Sequence, residues 1–273
     1  MARNFTLRGF CMMASGDGMK SSFRQVEILD IARREGKVEV EDLARRFGVT
    51  VQTIRRDLTE LDSAGRLDRV HGGAIVASGT SNLAYDDRRR HLVEEKAAIA
   101  RICASKIPDD CSVFLNIGTS TEAVAAELRH HRNLLVITNN MNIANTLASN
   151  SECEVVVTGG TVRRGDGGLI GTMTVKAIRS FKFDYAVIGC SALDADGDVL
   201  DYDIQEVGVS QAIIAQARAP LLVADHSKLH RSAPARICSL ADVEAVFSDR
   251  PLPETLQSAC ASWGTAVFVA EDA

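Results

Sequence analysis

The sequence predicts two joined folds: an α+β winged helix-turn-helix unit, then an α/β domain with a mainly parallel sheet. Three observations predict this. Apolar residues between Ser21 and Ala64 recur at helical spacing in three short stretches, followed by a hairpin signal at Gly72-Gly73. A small polar stretch, Ala77-Ser78-Gly79-Thr80-Ser81-Asn82, then interrupts the pattern. Beyond it, short β-branched runs alternate with helical patterns, the signature of strands covered on both faces by helices.

The elements follow in order. Residues 1–20 show no periodicity, and Phe10, Cys11, Met12 and Met13 make too short an apolar centre for a signal peptide. This stretch is expected to be a disordered extension, with Met19 as a possible native start. The winged helix-turn-helix unit is expected over 21–77. Ser21 or Ser22 caps a first helix through Glu35, with Val26, Ile28, Leu29 and Ala32 as its apolar face and Gly36 as its stop. Val38-Glu39-Val40 is extended. A second helix runs from Glu41 to Phe47, Gly48-Val49 turns, and Thr50 caps a third helix buried along Val51, Ile54, Leu58 and Leu61. Leu67–Val70 and Ala74–Val76 pair as strands. Residues 78–93 read as a linker that includes the charged run Asp86-Asp87-Arg88-Arg89-Arg90.

The α/β domain is expected over 94–273. After a helix from Glu94 to Ser105, strands are expected at Val113–Ile117, Leu134–Thr138, Glu154–Thr158, Tyr185–Ile188, Leu221–Ala224, Val243–Phe247 and Ala266–Val269. Helical patterns between them include Glu122–Leu128, Asn142–Leu147, Val175–Phe181 and Glu206–Ala217.

Bulk properties narrow the function classes. The 273 residues are 46% hydrophobic and 25% charged, ordinary for a folded soluble protein. No apolar run is long enough to span a bilayer, so neither a membrane role nor a membrane partner is expected. The net charge of -5 argues against coating nucleic acid with the whole surface but permits a basic face on one domain. Seven scattered cysteines, none in C-x-x-C spacing, suit reduced thiols in a cytoplasmic protein; no disulfide framework, metal site or cofactor is expected.

The third helix carries the first chemistry. Its buried stripe leaves Gln52, Thr53, Arg55 and Arg56 facing outward in the first two turns, where a recognition helix meets base edges and phosphates. Arg forks onto guanine or phosphate, Gln pairs with adenine, and the hydroxyls of Thr50 and Thr53 suit phosphate. Arg69 and His71 on the hairpin make a wing toward the neighbouring groove. The competing reading is a surface helix whose arginines pair with Asp57, Glu60 or Asp62. The order of three helices, glycine turn and hairpin favours double-stranded operator DNA, read in paired half-sites by a homo-oligomer, a dimer or tetramer.

The second candidate site lies at expected strand ends. Gly118-Thr119-Ser120-Thr121 joins a strand to a helix, where open α/β sheets bind ligands and where backbone N–H groups and hydroxyls can cradle phosphate. An ordinary capped turn has the same composition. Lys228 follows another strand and can supply a cation, or be a solvated surface lysine. Asn139 ends a third strand and can bind hydroxyls. Gly159-Gly160 ends a fourth, where glycine permits close backbone approach.

Val51-Gln52-Thr53-Ile54-Arg55-Arg56-Asp57-Leu58 and Arg69-Val70-His71-Gly72-Gly73-Ala74 resemble the signature of the DeoR family of bacterial transcription factors. The resemblance continues through Asn116–Ala125, Thr138–Leu147, Asp166–Gly171 and Asp225–Lys228. It implies a winged helix ahead of a sensor domain similar to sugar-phosphate isomerases, repression of a carbon-catabolic operon, and release by a phosphorylated small metabolite, glycerol 3-phosphate first among them. It also implies that Gly118–Thr121, Asn139 and Lys228 hold that effector. One position departs from the family pattern: Ser210 stands where members usually carry Lys. The rival reading is an isomerase-like enzyme, with Asp203, Glu206 or Asp225 as a base; no constellation in the sequence demands catalysis.

Overall fold

A computed structural model describes residues 16–35, 37–76 and 85–270, and these fall into two compact units that part after Val76. In the first, helix α1 (Gly16–Glu35) is followed by strand β1 (Lys37–Glu39), α2 (Val40–Phe47), α3 (Val51–Ser63), β2 (Leu67–Val70) and β3 (Gly73–Val76). The strands form an antiparallel sheet in the order β1-β3-β2. One core joins all three helices to the sheet: Ile28, Leu29 and Ile31 of α1, Leu43 of α2, Ile54, Leu58 and Leu61 of α3, and Leu67 and Ala74 of the hairpin. The turn between α2 and α3 needs a left-handed residue, and Gly48 supplies it at φ 62°.

Two boundaries differ from expectation. Helix α1 starts at Gly16, not at a cap on Ser21 or Ser22, so part of the stretch expected to be disordered is helical; once a helix is nucleated, each added residue gains a bond at little cost. Residues 1–15 and the expected stop at Gly36 lie outside the described residues. The expected linker 78–93 also contains structure: α4 (Tyr85–Arg90) and the start of α5 (Val93–Ala104) fall in it. Helix α4 has no buried residue and hence no apolar stripe to betray it; Asp86 and Asp87 in its first turn and Arg88 to Arg90 in its last suit the helix dipole. Residues 77–84 lie outside the described residues.

In the second unit the chain runs β4 (Ser112–Leu115), α6 (Thr119–Leu128), β5 (Leu134–Thr138), α7 (Met141–Leu147), β6 (Cys153–Val157), β7 (Thr161–Val162), β8 (Leu169–Ile170), α8 (Thr172–Ile178) and β9 (Phe183–Ile188). It continues through β10 (Ala192–Leu193), β11 (Asp198–Asp201), α9 (Ile204–Gln216), β12 (Ala217–Val223), β13 (Ala235–Ser239), β14 (Ala245–Ser248), α10 (Glu254–Trp263) and β15 (Ala266–Val269). A seven-stranded sheet runs β15-β14-β12-β9-β4-β5-β6, with every pairing parallel. Its strands are the runs that the sequence marked, shifted at their ends by a few residues.

Alternation along these strands builds two cores. Phe114, Ile137, Ile188, Leu222 and Val246 face one side with Ile178, Ile213 and Leu256 of the covering helices. Val113, Leu115, Val136, Val187, Val223 and Phe247 face the other with Ile99, Val124, Leu128, Ile143 and Leu147. The antiparallel sheet β10-β11-β13 and the hairpin β7-β8 were not expected; their strands are too short for periodicity to show. The strand order turns back at β4, with β5 and β6 to one side and β9, β12 and β14 to the other. Carboxyl ends of strands at such a switch point form the crevice where this architecture binds ligands.

Candidate DNA-reading surface and effector site

Helix α3 presents the expected face. Thr50 caps it, its hydroxyl oxygen accepting from the Thr53 N–H at 3.2 Å and lying 2.9 Å from the Thr53 hydroxyl. Gln52, Arg55 and Arg56 are exposed and Thr53 is half-buried. The competing partners are mostly engaged elsewhere. Asp57 is buried and takes both ends of the Arg24 guanidinium from α1, one bond at 3.0 Å. Asp62 accepts from the Arg69 backbone N–H. Only Arg56 has an acidic partner on its own helix, Glu60 at 3.1 Å, an exposed pair of small energy. On the wing, Arg69 reaches back to the Thr59 hydroxyl at 3.1 Å, whereas His71 at the hairpin tip is exposed.

In the second unit Gly118 to Thr121, Asn139 and Lys228 lie after β4, β5 and β12, on one edge of the sheet. Strands β4 and β12 are separated by β9, so two strand spacings, about 10 Å, divide the Gly118 turn from the Lys228 turn. Gly118 has φ 151°, a backbone that side-chain-bearing residues rarely adopt, and opens α6. Thr121 is fully buried, with its hydroxyl 2.7 Å from the carbonyls of both Asn116 and Gly118; it shapes the turn from within. The hydroxyls of Thr119 and Ser120 have no hydrogen-bond partner among the described residues, and Thr119 lines a cavity of about 410 Å³ together with Tyr85, Lys96 and Asn142.

Asn139 is fully buried. Its Nδ2 donates to the Leu169 carbonyl at 3.2 Å, and its Oδ1 has no partner among the described residues. Lys228 is buried, not a solvated surface lysine, and its Nζ lies 3.8 Å from Asp225 Oδ2. Burial lowers the Lys228 ammonium pKa, Asp225 opposes this, and Arg231 lowers it further. Burial alone would raise Asp225, but Lys228, the Ser227 hydroxyl, Lys96 and Arg231 outweigh it and hold this carboxyl well below the usual range.

Four basic groups that the sequence reading left out of the site surround this pair. Lys96 is buried on the stripe Lys96, Ile99, Ala100, Cys103 of α5; a lysine on an apolar stripe was the one signal that pointed to it. Its Nζ donates to the carbonyls of Arg88 and His91, and burial followed by the charge of Lys228 lowers it to about 8. His91 is lowered to about 4 by burial and by Arg231, Lys96 and Lys228, against Asp225, and its Nε2 is buried without a partner among the described residues. Arg88 acts on the same cluster, pairs with Asp166 at 3.6 Å, and has a buried Nε without a partner among the described residues. Arg231 completes the set.

Of the acids weighed as catalytic bases, Asp203 and Glu206 both hold Arg163, Asp203 at 3.1 Å, and Asp225 faces Lys228. Ser210 is buried and its hydroxyl accepts from Asn116 Nδ2 at 2.9 Å, so the departure from the family pattern falls beside the strand ends and not on the surface.

Residues 24–80 match the DeoR-like helix-turn-helix domain, and residues 91–250 match the DeoR C terminal sensor domain. The chain belongs to the DeoR family. It is 41% identical to the glycerol-3-phosphate regulon repressor of Escherichia coli (strain K12), over 86% of this chain and 93% of that protein. It is 44% identical to the glycerol-3-phosphate regulon repressor of Haemophilus influenzae, over 84% of this chain and 90% of that one. Among solved structures, a ribose 5-phosphate isomerase A from Methanocaldococcus jannaschii aligns with a TM-score of 0.37 at 14% identity, covering 50% of this chain and 55% of that one. Such a likeness is too loose to argue from. As a DeoR-family regulator the chain carries a DNA-binding domain ahead of a sensor domain, and no helix among the described residues is long and apolar enough to cross a membrane.

Proposed function

We propose that this DeoR-family member represses a carbon-catabolic regulon, that α3 reads its operator, and that a small phosphate ester, glycerol 3-phosphate first, releases it. One observation carries the effector assignment. Buried Lys228 and Arg231 and half-buried Arg88 feel one another's charge beside Asp225, His91 Nε2 and Arg88 Nε are buried in that cluster without partners among the described residues, and Asn139 Oδ1 is orphaned in the same way at the end of β5. Buried polar atoms are almost always satisfied, so a cluster of orphans at a strand-end crevice calls for a polar ligand, and the excess of cations calls for an anion. Lys228, Arg88 and Arg231 would take the phosphate, while Thr119, Ser120 and Asn139 would take hydroxyls. The printed names of the two relatives favour glycerol 3-phosphate among such esters.

The chain acts as a regulator and not as an isomerase: Asp203 and Glu206 are tied to Arg163, and a carboxylate held as low as Asp225 is a weak base. Operator half-sites call for a homo-oligomer. The test is a melting curve of the full chain with glycerol 3-phosphate, inorganic phosphate and glycerol, paired with an operator gel shift. Glycerol 3-phosphate is expected to raise the melting temperature and lower operator affinity, glycerol to do neither, and Lys228→Met to abolish the response while still binding operator. A Lys228→Met protein that responds like wild type overturns the site; a wild type that answers a different phosphate ester moves only the effector.

A further inference from the structure

We propose that Lys96 is a reactive lysine that captures phosphorylated aldehydes and ketones as an imine, so that the second unit tells a carbonyl-bearing ester from its alcohol. The phosphate seat at Lys228 rests on the effector reading above; the amine rests on its own surroundings. Lys96 is buried in the first turn of α5, yet it pairs with no carboxylate among the described residues. Its Nζ donates to two neutral acceptors, the carbonyls of Arg88 and His91, the latter at 2.7 Å, and has no third acceptor among the described residues. An ammonium has three N–H donors, whereas a neutral amine has two and a lone pair. The hydrogen-bond partners match the neutral amine.

The charges around Lys96 favour the same form. Burial and the Lys228 ammonium lead, Arg88 and Arg231 add to them, and Asp225 opposes. Together they bring Lys96 down to about 8, so roughly a tenth of the molecules carry the free amine at neutral pH, against fewer than about one in a thousand for an ordinary exposed lysine. Burial and a neighbouring cation are the devices that turn a lysine into a nucleophile. Room for a reactant is at hand. Lys96 lines the cavity of about 410 Å³ with Tyr85, Thr119, Glu122 and Asn142, groups suited to hydroxyls, and the volume suits a small metabolite.

Lys228 is the strongest charge felt at Lys96, so a phosphate held by Lys228 brings the rest of a short ester toward the amine. The Lys96 nitrogen adds to the carbonyl carbon and forms the C–N bond. The carbonyl oxygen then leaves as water with the two amine protons, and a C=N bond remains. Glycerol 3-phosphate has no carbonyl and binds without this bond. Three-carbon esters one oxidation level higher form it.

The test uses the full wild-type chain, so no variant's folding enters the result. The chain is incubated at neutral pH with glyceraldehyde 3-phosphate or dihydroxyacetone phosphate, reduced with sodium borohydride, and mapped by mass spectrometry. Reduction turns the imine into a secondary amine that survives digestion. The adduct is expected at Lys96 about tenfold or more above exposed Lys37 and Lys176 in the same sample. Labelling of Lys96 should level off above about pH 8, where its amine is already free, while an ordinary lysine keeps gaining. Glycerol 3-phosphate in place of the carbonyl ester should leave Lys96 unmodified, and as a competitor it should slow the labelling. Labelling of Lys96 no faster than that of Lys37 and Lys176 overturns the proposal. Fast labelling that glycerol 3-phosphate does not slow upholds the reactive amine and overturns the effector reading alone.

Discussion

The candidate DNA-reading helix and the proposed effector site use polar and charged side chains in opposite ways. On α3, Gln52, Arg55 and Arg56 stand in solvent on a helix whose stability comes from its other face. The one ion pair among them, Arg56 with Glu60, is exposed and of small energy. At the strand ends Lys228, Asp225 and Asn139, and on α5 Lys96, are inside the protein, and their charges and unsatisfied atoms are tolerated against a cost in folding energy. A surface that meets a polyanion in water needs only exposure and sign. A site that must select a small anion gains strength from low dielectric and pays with buried charge that the apo fold must balance.

The sharpest way to break this contrast is Asp225→Ala. It removes the carboxylate that faces Lys228 and leaves buried cations uncompensated, for an expected loss of about 3–5 kcal/mol in urea unfolding. Glycerol 3-phosphate should recover part of that loss, because its phosphate restores the missing negative charge. A variant as stable as wild type would mean that the cluster carries no electrostatic tension.

Arg55→Ala tests the other side. It should weaken operator binding by about 1–3 kcal/mol and leave the melting temperature unchanged, since Arg55 is exposed and has no ion pair among the described residues. Arg24→Ala should do the reverse, destabilising the first unit by removing the guanidinium that the buried Asp57 carboxylate binds, while touching no exposed residue of the reading face. Gel shifts at two salt concentrations, read beside melting curves, separate the two.

The pH dependence of stability should come from the second unit. His91 is held at about 4 instead of the usual 6.5 by burial and by Arg231, Lys96 and Lys228, with Asp225 opposing. Between those values the unfolded chain takes up a proton that the folded chain refuses, so stability falls as pH drops from 6.5 to 4. Allowing for its partial exposure, the loss is about 1–2 kcal/mol, and His91→Gln should flatten that window in urea melts. The smallest effect should separate two neighbours in one turn. Thr121→Val loses the hydroxyl that ties the Asn116 and Gly118 carbonyls and should cost about 1 kcal/mol of stability. Thr119→Val should leave stability alone and weaken glycerol 3-phosphate binding by about tenfold or less, as expected for one lost hydrogen bond, in calorimetric titration.

Much of the molecule was legible in the sequence. Of the stripe expected at Val51, Ile54, Leu58 and Leu61 the last three are buried and Val51, in the open first turn, is exposed; the three still set which face of α3 is inside, and hence that Gln52, Arg55 and Arg56 point outward, because a helix places its residues every 100° whatever it packs against. The seven sheet strands were visible because strands buried on both faces read as continuous apolar runs, and the alternation with helices dictated parallel pairing. With the strands came the positions of Gly118, Asn139 and Lys228 at their ends.

Tertiary structure decided the rest. Helix α4 has no apolar face, so no periodicity marks it, and contacts such as those with Glu122, Asn142, Asp166 and Lys96 tie it to the second unit. Thr121 and Thr119 are alike in the sequence, yet one hydroxyl closes the turn and the other is left open, a difference set by the direction in which α6 leaves Gly118. Arg88, His91 and Lys96 come from a stretch of chain far from the one that carries Lys228 and Arg231. Burial and charge neighbourhood are properties of what surrounds a residue, and the chain assembles those surroundings from segments that its local pattern does not relate.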